Sequence, residues 1–89
     1  MPRVSFPQVL QRHVACPPVD VDGRTVKEAL DAAFAVYPTV RGYLFDDTGA
    51  LRQHVTVFVD GQVVRDRTKL AQRVDAGSRI DVLQALSGG

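Results

Sequence analysis

One short stretch limits what this chain can become more than any other. Over residues 25–37 the apolar side chains of Val26, Ala29, Leu30, Ala33, Phe34 and Tyr37 fall at i, i+3, i+4, i+7, i+8 and i+11, a continuous stripe at the helical period. Thr25 followed by Glu28 forms a capping box. The hydroxyl accepts from a free amide of the first turn while the carboxylate reaches back to the start. Pro38 ends the helix, because the residue before a proline is pushed out of the helical region. A helix with one apolar face must bury that face against something, and the other apolar residues mostly alternate. The expected class is therefore α+β, a sheet packed on one main helix.

The alternating segments supply the strands. Val4 and Phe6 alternate with Arg3 and Ser5 until Pro7, which cannot donate to a sheet ladder. A second apolar stretch, 13–21, is irregular around Cys16 and broken by Pro17 and Pro18. It then alternates Val19 and Val21 with Asp20 and Asp22, which fits an antiparallel partner of the first strand, closed by Gly23. Residues 39–53 are less regular, with a short helical turn expected around Val40, Tyr43, Leu44 and Phe45 and a loop over 46–49. A clear strand follows at 54–59, with Val55, Val57 and Val59 on one face and His54, Thr56 and Phe58 on the other. Asp60-Gly61 is a preferred pair for a two-residue type I′ hairpin, so 62–65 should return alongside. Residues 66–74 are polar apart from the anchors Leu70 and Val74, Asp75-Ala76-Gly77 turns the chain, and 79–83 forms the last strand with Ile80 and Val82 inward. This order predicts a mixed sheet of about five strands, in which the crossover through the helix allows a parallel pair.

Size and charge narrow the function. Eighty-nine residues make one small domain, expected over 1–83 with a flexible tail at 84–89. Folding at this length removes only roughly 60–65% of the unfolded surface from water, too little to enclose a large substrate chamber, so a self-contained enzyme is not expected. Eleven Lys and Arg against ten Asp and Glu leave no basic footprint for nucleic acid. No apolar run approaches the ~20 residues of a membrane span, and the first residues lack the blocks of a secretory signal, so a cytoplasmic location without membrane contact is expected. The single cysteine, Cys16, supports neither a disulfide framework nor a cysteine-rich metal site. His13 three residues earlier reads as structural, since nothing else of a nucleophile constellation lies near. Asp20-Val21-Asp22-Gly23 is a turn and helix entry, because Arg24 occupies the next position of a calcium-loop pattern. No glycine-rich phosphate cradle is present, so no cofactor or metal is expected on this chain and any ATP belongs to a partner.

The element order, the hairpin Val57-Phe58-Val59-Asp60-Gly61, the turn Asp75-Ala76-Gly77 and the final Gly88-Gly89 together resemble the ubiquitin-like sulfur carriers of the MoaD/ThiS group. Leu51-Arg52, the valine strand around Phe58 and Val63-Val64-Arg65 look most like the CysO-type carriers. The resemblance implies a β-grasp fold and makes Gly89 the residue that is adenylated by an E1-like, MoeB/ThiF-type adenylyltransferase and converted to a thiocarboxylate. It further implies a second partner, a biosynthetic enzyme accepting the sulfur for cysteine, molybdopterin, thiamine or a specialised metabolite. The alternatives are a ubiquitin-like protein modifier joined through the same terminus and a non-covalent β-grasp binding module.

The chemistry suits the residues. An α-carboxyl with a reference pKa of about 3.3–3.7 is an anion at neutral pH and attacks phosphorus without help from a base. Glycine at both last positions leaves no side chain to obstruct a narrow channel. The tail spans roughly 20 Å at ~3.3 Å per residue. Gly88, Ser87 and Leu86 are expected to be gripped by the partner. Gln84 and Ala85 stand where many tails of the group carry proline. Phe58 and Arg65 are candidates for a partner surface, with burial of Phe58 under loop 39–53 as the competing reading. For Arg52, Arg67 and Lys69 ordinary surface charge is the expectation.

Overall fold

The structure, a computed structural model, describes residues 1–84. The chain runs β1 (Arg3–Ser5), α1 (Gln8–Gln11), β2 (Val19–Asp20), α2 (Val26–Val36), a 3-10 turn (Pro38–Val40), α3 (Arg41–Leu44), β3 (Val55–Val59), β4 (Gln62–Val63) and β5 (Arg79–Gln84). The strands form one sheet in the order β2-β1-β5-β3-β4. β1 and β5 are parallel, and the other pairs are antiparallel. This is the α+β arrangement expected from the sequence, a β-grasp in which a five-stranded mixed sheet packs on one principal helix. The inward residues are those of the alternation: Val55 and Val57 of β3 and Ile80 and Val82 of β5 are buried together with Val26 and Leu30 of α2.

The start of α2 is fully capped. Thr25 Oγ1 accepts from the Glu28 amide at 3.1 Å, and Glu28 Oε1 accepts from the Arg24 amide at 2.9 Å. The remaining first-turn amides are taken by a distant segment: Val26 N donates to the Gln72 carbonyl at 2.9 Å and Lys27 N to the Leu70 carbonyl at 3.0 Å. That segment has unusual geometry, since Leu70 is held at φ 51. A left-handed residue with a β-carbon costs roughly 1–2 kcal/mol, while full burial of a leucine side chain contributes about 1.5–3 kcal/mol. Leu70 is wholly buried, so the burial outweighs the strain. The Asp66 carboxylate holds the same turn, accepting from the amides of Ala71 at 3.1 Å, Lys69 at 3.0 Å and Thr68 at 3.3 Å. The Ala71 and Lys69 amides lead in holding its carboxyl below the ordinary aspartate value of 3.8.

Four details differ from the sequence expectation. α1 was not foreseen, because four residues are too few to display a helical period; it forms where Pro7 leaves the ladder, and it buries Leu10. Gln11 at its end brackets Cys16, donating to the Cys16 carbonyl at 2.6 Å and accepting from its amide at 3.1 Å. That bracket accounts for the irregular passage before β2. β4 covers only Gln62–Val63, although Val64 N still donates to the Val57 carbonyl at 2.8 Å as its side chain enters the core. β5 continues through Gln84, which pairs with Val55, one residue past the expected end at Leu83. Finally, Gly23 serves a close approach: a β-carbon there would lie 2.6 Å from the Ala29 nitrogen and 2.9 Å from its α-carbon. The hairpin at Asp60-Gly61 is as expected for type I′, with both residues at positive φ.

Two outcomes follow. Gly23→Ala forces backbone apart at the head of α2 and should cost about 1–3 kcal/mol by the overpacking rule, read as a lowered midpoint in chemical denaturation with the circular-dichroism spectrum retained. The Asp66 carboxyl has a folded value below its unfolded one, so its stabilisation is complete above the ordinary value and disappears as the pH falls through the lowered one. Asp66→Ala should therefore be less stable than the parent at pH 7, with the gap narrowing once the pH drops below about 4. A gap that stays constant with pH would contradict the amide cradle.

Candidate functional site

The face of the sheet turned away from α2 is built by strand parity. β3 sends Thr56 and Phe58 to this side, both half-buried. The type I′ hairpin fixes the register so that Phe58 stands opposite Val63 in β4, and β5 places Asp81 opposite Phe58 on the other flank. Leu83, opposite Thr56, is the diagonal neighbour of Phe58. Diagonal neighbours stand about 7–8 Å apart, within reach of an aromatic side chain. Val63 and Leu83 are 48% and 50% exposed, so together with Phe58 they make an apolar cluster in contact with water.

Four charged side chains of this face form two ion pairs. Arg79 Nε lies 3.2 Å from Asp81 Oδ2. On the other half of the sheet, Arg3 Nε and Nη2 donate to the two carboxylate oxygens of Asp20 at 3.0 and 3.3 Å. That fork holds the Asp20 carboxyl below the usual range and raises the Arg3 guanidinium. A protein covering the cluster thus meets ion pairs that are already neutralised.

In the 39–53 segment Phe45 meets Phe34 of α2 edge-on at 5.5 Å, the Arg41 guanidinium lies over both rings at 5.9 and 5.4 Å, and Leu51 N donates to the Arg67 carbonyl at 3.2 Å. Arg41 also reaches Asp31 at 3.3 Å. Arg65 is exposed two residues beyond Val63, at the β4 side of the cluster. Val63 and Leu83 were not singled out from the sequence. The signal was present: Leu83 is an apolar residue out of step with Ile80 and Val82, and a two-residue turn makes Val63 the partner of Phe58.

The other candidates are dispersed. Cys16 is fully buried, and burial pushes its thiol above the ordinary value. His13 stacks on Tyr43 with centroids 6.1 Å apart and 17° between planes. Asp20 is engaged by Arg3. Among the described residues, no three His, Cys, Asp or Glu side chains come together as a metal site, and no helix is long and apolar enough to cross a membrane. Leu86, Ser87, Gly88 and Gly89 lie outside the described residues. Gln84, the last residue described, is joined to Val55 in the ladder beside the apolar cluster.

Comparison with known proteins agrees with the fold. Residues 11–89 match the ThiS family. Small archaeal modifier protein 1 of Haloferax volcanii is 35% identical over 72 residues, 80% of this chain and 78% of that protein. A chain of the Amycolatopsis orientalis BexX/CysO complex superposes with a TM-score of 0.84 at 27% identity, over 100% of both chains. CysO of Mycobacterium tuberculosis, described as an antigen, gives a TM-score of 0.81 at 26% identity, covering 97% of this chain and 100% of that one. The match extends from α1 to the last residue of the sequence, and the chain belongs to the ThiS family, alongside ubiquitin-like proteins of the CysO and archaeal-modifier kind.

Proposed function

We propose that this chain is a sulfur carrier. Its Gly89 carboxylate attacks the α-phosphorus of ATP in an adenylating partner, pyrophosphate leaves, and sulfur then displaces AMP from the acyl carbon to give a thiocarboxylate. ATP and the sulfur source are held by that partner, and a biosynthetic enzyme takes the sulfur. The observation that carries the reading is the sequence Ala85-Leu86-Ser87-Gly88-Gly89 following on β5, the central strand, which carries Leu83 of the apolar cluster Phe58, Val63 and Leu83. An activating enzyme that covers this cluster holds the domain by a rigid sheet while it receives the tail. The apolar contact gives affinity, and residues of this kind at the centre of a contact dominate binding. The BexX/CysO complex is a precedent for a similar chain bound to a second protein.

A second reading is favoured by the 35% identity to a small archaeal modifier: the same activated carboxyl is passed to a lysine of another protein. No Lys or Arg follows Arg79, so trypsin would leave the whole segment Ile80–Gly89 on the acceptor rather than a diglycine remnant.

Incubation with ATP, a sulfur source and the activating enzyme from the same host should exchange one oxygen of the chain for sulfur in the intact mass. A chain lacking Gly89 should show no exchange while keeping its denaturation midpoint. Leu83→Asp or Val63→Asp should slow activation at limiting enzyme, because a buried carboxylate opposes docking. As both positions are exposed, stability should stay within about 0.5 kcal/mol of the parent. An unchanged mass with an enzyme that activates a related carrier would refute the proposal.

A further inference from the structure

We propose that the outer edge of β4 accepts a further strand, an extended segment of a partner protein with an apolar residue opposite Val63 and an acidic one opposite Arg65. Gly89 and its activation do not enter, so the inference stands apart from the carrier reading.

β4 is the last strand of the sheet on its side. In an antiparallel pair, facing residues alternate between those that exchange backbone hydrogen bonds and those that do not. Val64 N donates to the Val57 carbonyl at 2.8 Å, which makes Val57 and Val64 a bonded pair. Phe58 and Val63, the next pair along, are then of the other kind. The amide and carbonyl of Val63 therefore point away from β3, and no strand among the described residues lies beyond them. Nor does any hydrogen bond among the described residues engage the Arg65 amide.

An open ladder invites pairing, and folds commonly blunt it with proline or charge. The opposite edge of this sheet is blunted in that way. Pro17 and Pro18, which have no amide to donate, precede β2, and Tyr37 Oη donates to the Pro17 carbonyl at 2.9 Å. Asp20 in β2 is held by Arg3. Gln62 and Val63 in β4 are exposed and carry neither device.

Main-chain bonds give an added strand its affinity, and alternate side chains select it. A residue opposite Val63 shares the outer face with Val63 and Phe58, so an apolar side chain extends their cluster. Two residues on, Arg65 is exposed, and among the described residues no carboxylate pairs with it. Arg67 and Lys69 follow, while the acid between Arg65 and Arg67, Asp66, turns its carboxylate to the amides of Thr68, Lys69 and Ala71. At the start of β4 stands an acid instead, Asp60, before the hairpin turn. Cations beyond one end and an acid at the other set the polarity of the incoming segment. Antiparallel pairing is the more stable kind, so the acidic residue comes two places before the apolar one.

The probe is the acetylated and amidated peptide Ser-Glu-Thr-Val-Thr-Ser, titrated to millimolar concentration into the isotope-labelled full chain and followed by amide NMR. Shifts should concentrate at residues 62–65, and hydrogen exchange of the Val63 amide should slow. Methylating the backbone nitrogen of the peptide valine removes its bond to the Val63 carbonyl and should abolish binding. Arg65→Glu should weaken binding up to about fivefold, the worth of an exposed ion pair, and should favour the peptide with Lys in place of Glu. No shift at any residue, shifts centred on β2, an unprotected Val63 amide, equal binding of the methylated peptide, or unchanged affinity of Arg65→Glu would each overturn the proposal.

Discussion

β5 is hydrogen-bonded on both sides, parallel to β1 and antiparallel to β3, so the two halves of the sheet meet only through it. Every other arrangement in the molecule depends on this insertion. Arg3 pairs with Arg79 across almost the full length of the chain. Closing so long a loop costs conformational entropy before any contact repays it, so a fold built on this pairing forms more slowly than one built on local contacts. The turn Asp60-Gly61 is stapled to the start of the same strand, with Asp60 N donating to the Arg79 carbonyl and Arg79 N to Asp60 Oδ1, each at 2.9 Å. The outer apolar cluster is likewise incomplete until β5 brings Leu83 beside Phe58.

The helix was readable from the sequence because two independent signals agreed. The stripe from Val26 to Tyr37 set its face and the Thr25/Glu28 box with Pro38 set its ends. The hairpin at Asp60-Gly61 was readable for a similar reason, since positive φ at two successive positions selects few residues. What escaped reading were features built by distant contacts. α1 exists because Leu10 finds the core, and the bracket from Gln11 to Cys16 is a side-chain choice that no period reveals. Capping of α2 by Leu70 and Gln72 joins residues more than forty positions apart, and Leu70 at φ 51 breaks the usual preference of a bulky residue. Gly23 looked like a turn residue, yet what excludes a side chain there is the backbone of Ala29. For the outer apolar cluster, parity alone assigned Phe58, whereas Val63 and Leu83 required the register.

The 64–74 segment does two things with one set of hydrogen bonds. Its carbonyls at Leu70 and Gln72 complete the helix, and its amides at Thr68, Lys69 and Ala71 turn inward to Asp66, so the side chains left outside are largely cationic. Arg65 joins this segment to the outer face, standing two residues beyond Val63 at the β4 side of the apolar cluster.

The placement of β5 also sets how the domain answers a pull. Force applied at Gln84 runs along a strand flanked by neighbours on both sides, so its ladders are loaded together in shear. They cannot open one bond at a time, as they would at a sheet edge. An enzyme drawing on the end of this chain would therefore be tugging on the most tightly secured strand of the fold. The handle and the mechanical clamp of the domain are the same strand.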